Sequence, residues 1–295
     1  MAFAQRMGDW MHTNRPDIRF DFSFGYSMEH PDLVGAIRFL RRIGSPQADF
    51  LQCDGMRMRS DSECRALMAS LAQEGTAHVN FTVYGEEAYH DHFAGRTGDF
   101  ALIMRMLRAA YDAGIQTSAG IPLTTENCAV TDALVNRLRE NGCKRVFLFV
   151  PHEEGRGILL DGVRLTEGAL QGLSKETLTL LNRAIFRPER EWLTSGAYRE
   201  ETGRMLIVSL RKDNIDRYES INFFDLIAEL EAADDAYYAV FPSFAELAER
   251  YGDPNGERMY RQRDLFAHYR RRFAQEFAVR VYDVTDERQS GSRRY

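Results

Sequence analysis

The chain has 295 residues, 44% hydrophobic and 28% charged, a composition that excludes disordered and collagenous classes. Its net charge of -6 gives no general pull toward nucleic acid, and no apolar run reaches the roughly 18 residues of a membrane span. Four cysteines are too few for a disulfide framework, and the start, MAFAQRMGDWMHTNRPD, lacks the basic and apolar regions of a signal peptide; a reduced, cytoplasmic protein is expected.

In chain order, residues 3–14 read as a helix stopped before Pro16, because a residue preceding proline disfavours the α region. IRFDFSFG (18–25) alternates like a strand, and HPDLVGAIRFLRRIG (30–44) places Leu33, Ala36, Ile37 and Leu40 on one helical face. ADFLQC (48–53) reads as a strand, followed by a helix over 60–75 with a Ser/Asp-rich start and a glycine stop. The rhythm repeats: strand 78–85, helix within 98–114, strand 117–123, helix 125–142 and strand 144–151. Five strands joined by helices demand a parallel sheet with right-handed crossovers, and a repeat of about 30 residues suits a partial βα barrel.

After Gly157 the alternation stops. Helices are expected over 166–184, about 221–233, 242–253 with Ser243 as N-cap, and 264–277 with a basic charged face, plus one strand-like run at 205–210. The organisation expected is a barrel over 1–157, a mainly helical region over 158–284 and a disordered tail over 285–295.

In a parallel βα sheet chemistry collects at the C-terminal strand ends. These ends are Gly25-Tyr26-Ser27, Cys53-Asp54-Gly55, Thr82-Val83-Tyr84-Gly85, Pro122-Leu123-Thr124 and Pro151-His152-Glu153. The richest join, read as a loop, is EEAYHDHFAGRTGDF (86–100), holding His90, Asp91, His92 and Arg96.

Over residues 18–157 the chain resembles the radical S-adenosylmethionine enzymes, in their peptide-modifying and cofactor-maturing branch. Thr82 and Gly85, His90-Asp91, Gly95-Arg96, Gly98-Asp99-Phe100, Gly114-Ile115, Thr124-Thr125-Glu126-Asn127 and Gly155-Arg156 carry the resemblance through their order and spacing. It implies a six-stranded partial barrel, S-adenosylmethionine as cofactor and a [4Fe–4S] cluster. The implied cofactor wall comprises Gly25, Thr82 toward ribose, Tyr84, Arg96 toward the methionine carboxylate, Asn127, and the backbone of Phe149 and Val150 toward adenine. His90 and Asp91 are the candidates for proton transfer, against a simpler role in bracing their loop.

Two departures accompany the resemblance. The CxxxCxxC that supplies cluster thiolates is absent, since Cys53, Cys64, Cys128 and Cys143 lack that spacing. Phe24-Gly25-Tyr26-Ser27 also stands where the family has Gly-Gly-Glu-Pro. The expected explanation is a missing first strand with its cysteine loop, from a start lying upstream; a relative that lost its cluster is the alternative. The first expectation is therefore reductive cleavage of S-adenosylmethionine and hydrogen abstraction from a small-molecule or peptide substrate, if the cluster motif is supplied. The second is a cluster-free barrel that binds a peptide or a partner protein. A metal-dependent hydrolase built on Asp54, His90, Asp91 and His92 is a third, without a convincing complete ligand set, so no metal site is assigned. No nucleic-acid or membrane partner is expected.

Overall fold

Helices of the first half stop at glycines in the left-handed region, among them Gly75, Gly114 and Gly142, at φ +77°, +78° and +91°. A side chain resists that conformation, so these positions end helices and turn the chain toward the next strand. The computed structural model describes residues 1–22, 24, 27–153, 155–195, 206–208, 210 and 214–279. The chain divides into two compact units, the first comprising Met1–Phe149 with Leu170–Asn182 and the second the remainder.

The first unit runs α1 (Ala2–Asn14), α2 (Leu33–Arg42), β1 (Phe50–Gln52), α3 (Asp61–Gln73), β2 (His78–Thr82), α4 (Glu87–Ala94), α5 (Asp99–Asp112), β3 (Gln116–Pro122), α6 (Thr131–Glu140) and β4 (Arg145–Phe149). A short α7 (Lys175–Leu178) belongs to the same unit. The four strands form one parallel sheet in the order β1-β2-β3-β4, with Gln52 opposite Asn80 and Asn80 opposite Ser118. Side chains alternate across a strand, so Leu51, Val79, Phe81, Ala119, Ile121, Val146 and Leu148 share one buried face. Helix α5 packs against β3, α6 against β4 and α3 against α5. The other face carries Gln52, Asn80, Thr82, Ser118, Phe147 and Phe149. Gly120 fits beneath the two rings: a Cβ there would lie 2.8 Å from Phe147 and 3.1 Å from Phe149.

The parallel α/β sheet matches the expected class, but among the described residues it has four strands rather than five. The segment expected as the first strand carries no strand at residues 18–22 or 24; Ser23 and Gly25 lie outside the described residues. Its backbone bonds go to side chains instead. Ser45 Oγ donates to the Phe22 carbonyl (2.9 Å), while Gln47 accepts from Phe24 N–H (2.9 Å) and donates to its carbonyl (3.3 Å). One glutamine amide thus occupies both bonding groups that a ladder would need.

Three other segments differ from what their sequence predicts. The expected loop over 86–100 contains α4, closed by Gly95 at φ +69°. Residues 166–184 form only a 3-10 turn (Gly168–Gly172) and α7, because glycines interrupt the run and Ser174 caps a new start. The run at 205–210 carries no strand at 206–208 or 210, its other residues lying outside the described ones. The expected tail, 285–295, also lies outside them.

The second unit contains a 3-10 segment (Gly155–Val163), β5 (Arg187–Pro188), α8 (Glu189–Thr194), α9 (Ile215–Ser220), α10 (Phe223–Tyr238), α11 (Phe244–Tyr251), β6 (Met259–Tyr260) and α12 (Gln262–Glu276). β5 and β6 pair antiparallel. Trp192, Phe244, Leu247, Tyr251, Tyr260, Leu265 and Tyr269 form its core, and Trp192 Nε1–H donates to the Tyr260 carbonyl at 2.9 Å. No helix among the described residues is long and apolar enough to cross a membrane.

Candidate functional site

The C-terminal ends of β1 and β2 bring Asp54 and Thr82 together. Asp54 Oδ1 accepts from Thr82 N–H (3.1 Å), and Oδ2 accepts from Thr82 Oγ1 (3.1 Å) and Gln52 Nε2 (2.8 Å). The carboxylate is open to solvent on one side and crowded by protein on the others. That burial pushes its pKa up, beyond what the Gln52 and Thr82 hydrogen bonds recover, and the Asp99 charge adds to the rise.

Behind Asp54 runs a row of polar side chains. Gln52 Oε1 accepts from Asn80 Nδ2 (2.7 Å), Asn80 Oδ1 accepts from Ser118 Oγ (2.5 Å), and Ser118 Oγ lies 2.7 Å from His78 Nε2. Asn80 and Ser118 are buried, and the strand register alone sets them side by side.

The proton-transfer candidates His90 and Asp91 and the residues expected to form the cofactor wall divide by what they already bond. His90 is 0% exposed; its Nδ1 accepts from Tyr84 N–H (3.1 Å), leaving Nε2 to carry the proton and bond Asp99 Oδ2 (3.1 Å). Asp91 accepts from Gly98 N–H and Phe100 N–H, capping α5 from the neighbouring helix. Arg96 donates to Asp99 and to the Met56 carbonyl. Burial pushes Asp99 up, but the bonds from His90 and Arg96 outweigh it and hold that carboxyl below its ordinary value. His90, Asp91 and Arg96 thus brace the start of α5.

Asn127, 2% exposed, accepts from Thr124 N–H (2.9 Å) and donates to the Tyr84 carbonyl (2.8 Å) and the Pro122 carbonyl (2.7 Å). It pins the ends of β2 and β3, and these bonds hold residues 124–127 outside the helix expected from 125. Tyr84 stacks on His90 and lies tilted against Phe93, with centroids 5.4 and 4.1 Å away. Phe149 ends β4 with its carbonyl bonded to Leu123 N–H (2.8 Å); Val150, fully buried, opens the second unit. Gly25 lies outside the described residues.

The cysteines do not fit an iron–sulfur cluster. All four are buried as free thiols, and burial pushes Cys128 and Cys143 up to about 11 and raises Cys53 and Cys64 as well. Cluster ligation requires thiolates grouped around one site. Cys53, at a strand end, is turned to the apolar face, its Sγ toward the Leu51 carbonyl. Nor do Asp54, His90, Asp91 and His92 form a metal-binding group. Among the described residues one trio has that spacing: Glu153, Asp161 and His268, in the second unit. Arg164 and Arg271 already contact Glu153, and two guanidiniums disfavour a cation there.

The arginines of α12 and of the residue before it, expected as a basic face, are mostly engaged within the second unit. Arg261 pairs with Asp264, Arg271 with Glu153, Arg272 donates to the Tyr251 carbonyl, and Arg270 is buried against the rings of Phe266 and Tyr238. No protein-family model and no curated protein matches the chain.

Proposed function

We propose that the first unit binds an adenosyl ligand of the S-adenosylmethionine class at the C-terminal ends of β1 and β2, with the ribose hydroxyls on Asp54. The observation that carries this reading is the Asp54 carboxylate, fixed by three hydrogen bonds yet open to solvent at the strand ends. A vicinal diol presents two O–H donors, and an ionised carboxylate is an acceptor-only group suited to receive them. Ligands of parallel α/β sheets collect at this end of the strands.

The Thr82 hydroxyl is engaged with Asp54 and Gln52, so it serves here as a support and the carboxylate as the contact. Tyr84, beyond the end of β2, would flank the ligand. The radical chemistry implied by the resemblance needs three thiolates that the buried cysteines do not offer. The specific observation of four buried thiols favours the binding-module form of this reading.

Calorimetric titration of the chain with S-adenosylmethionine tests it. Wild type should give measurable heat, Asp54→Ala should lower affinity about 10- to 100-fold, as expected for charge-assisted bonds, and Thr82→Val should lower it less. Absence of binding by wild type, or an unchanged affinity in Asp54→Ala, would sink the reading.

A further inference from the structure

Asp54 does not stand alone: the side chains behind it form one continuous row of hydrogen bonds across β1, β2 and β3. The direction of every bond in that row follows from its last member. An ionised carboxylate only accepts, so Gln52 must turn Nε2 toward Asp54 and its Oε1 toward Asn80. Asn80 must then offer Nδ2 to Gln52 and Oδ1 to Ser118, whose hydroxyl donates to it. With its own proton committed, Ser118 Oγ accepts from His78, which fixes the imidazole proton on Nε2. Reversing any amide would set oxygen against oxygen.

We propose that Gln52, Asn80, Ser118 and His78 are positioning residues for Asp54: a one-way chain of donors that begins at His78 and ends on the ligand-facing carboxylate. The proposal rests on the ligand-facing role given to Asp54 above. Each donor polarises the next, so the last bond, from Gln52, is stronger than an isolated amide could make it. The row also holds the Gln52 amide in one orientation, which a lone solvated glutamine would not keep. Two charges face the ends of the row. Arg145 on β4 adds to burial in lowering the pKa of His78, and Asp99 at the start of α5 raises that of Asp54. Phe50 lies over the His78 ring.

The test changes the row without touching Asp54. Asn80→Asp keeps the shape but removes the donor to Gln52; the Gln52 amide should turn over and set its oxygen against Asp54. With the full chain carrying 13C-labelled aspartate carboxyls, the Asp54 titration should move up by about one pKa unit, the new carboxylate's charge and the turned amide acting in the same direction, and Ser118→Ala, which adds no charge, isolates the share of the row. Affinity for S-adenosylmethionine should fall about tenfold at neutral pH. Ser118→Ala, which leaves Asn80 Oδ1 without its donor, should move the titration in the same direction by less. In the wild type, 15N resonances of neutral His78 should show the proton on Nε2. An unmoved Asp54 titration in a folded Asn80→Asp variant, or a His78 proton on Nδ1, would overturn the proposal. If Asn80→Asp does not fold, Ser118→Ala and the His78 tautomer decide. If wild type binds no S-adenosylmethionine, the ligand reading fails while the carboxyl titration still decides this one.

Discussion

Asp91 illustrates how two neighbouring residues can have one chemistry in the sequence and another in the fold. Beside His90 it has the makings of a proton-transfer pair, yet its oxygens accept from the Gly98 and Phe100 amides at the start of α5. Those amides belong to the first-turn donors that a helix cannot satisfy itself, and a carboxylate there also complements the positive end of the helix dipole. Asp91→Ala should therefore cost about 1–2 kcal/mol of stability in urea unfolding, the range of a lost N-cap, and leave ligand affinity within twofold. A large loss of affinity in a fully folded Asp91→Ala variant would return Asp91 to the binding machinery. The contrast with Asp54 lies in the degree of solvent access: both carboxylates accept protein hydrogen bonds, but Asp54 is exposed whereas Asp91 is half-buried.

Among the elements, the helix-to-strand joins were legible and the bonding between strands was not. Ser60 with Glu63 and Ser243 with Glu246 form the capping boxes that their spacing announces, and the glycine stops fall where helices end. Gly142 is the most demanding of these stops. It combines φ +91° with a Tyr111 Cβ that would lie 2.7 Å from an added methyl, and its carbonyl accepts from Thr117 Oγ1. Gly142→Ala should destabilise the chain by more than about 1 kcal/mol, against the small gain that the same change brings at an unstrained site. A denaturation midpoint equal to wild type would show that the α6–β4 join tolerates a side chain. Residues 18–22 and 24 form no strand because alternation reports a face and not a partner. Gln47 and Ser45, distant in sequence, take the backbone bonds that a neighbouring strand would have taken. The row behind Asp54 was readable in principle. Gln52, Asn80 and Ser118 are polar residues at alternate positions in apolar strands, but their meeting depends on a register that no single strand encodes.

For the molecule as a whole, the two units are held by different physics, and pH should separate them. The first unit is centred on an apolar sheet face, whereas the second buries a charge cluster beside its aromatic core. Glu153 is fully buried against Arg164, itself 1% exposed, at 2.5 Å, with Arg271 on its other oxygen; Asp264 is buried against Arg261 and His152. Burial alone would raise both carboxyls, but for Glu153 the His268 bond and the two guanidiniums prevail, and for Asp264 His152 and Arg261 do, so both lie below their ordinary values. A carboxyl depressed in the fold contributes stability that is complete above its unfolded pKa, near 4, and is lost as pH falls through the folded value. The second unit should therefore loosen in acid as these groups protonate. Trp192 lies in its core, and the chain's other tryptophan, Trp10, is in the first unit. In a Trp10→Phe variant, fluorescence then reports the second unit alone, and its emission should shift to the red below about pH 4. Glu153→Gln keeps the shape but removes the buried charge closest to Arg164, leaving that guanidinium only the half-exposed Asp161 at 3.7 Å and the Pro151 carbonyl, which should cost about 3 kcal/mol. That variant should show the red-shifted emission at lower urea than its parent at neutral pH, with the gap between them narrowing as pH falls and Glu153 protonates in the parent. A gap that stays constant down to pH 3 would mean that the Glu153 charge carries none of the second unit's stability.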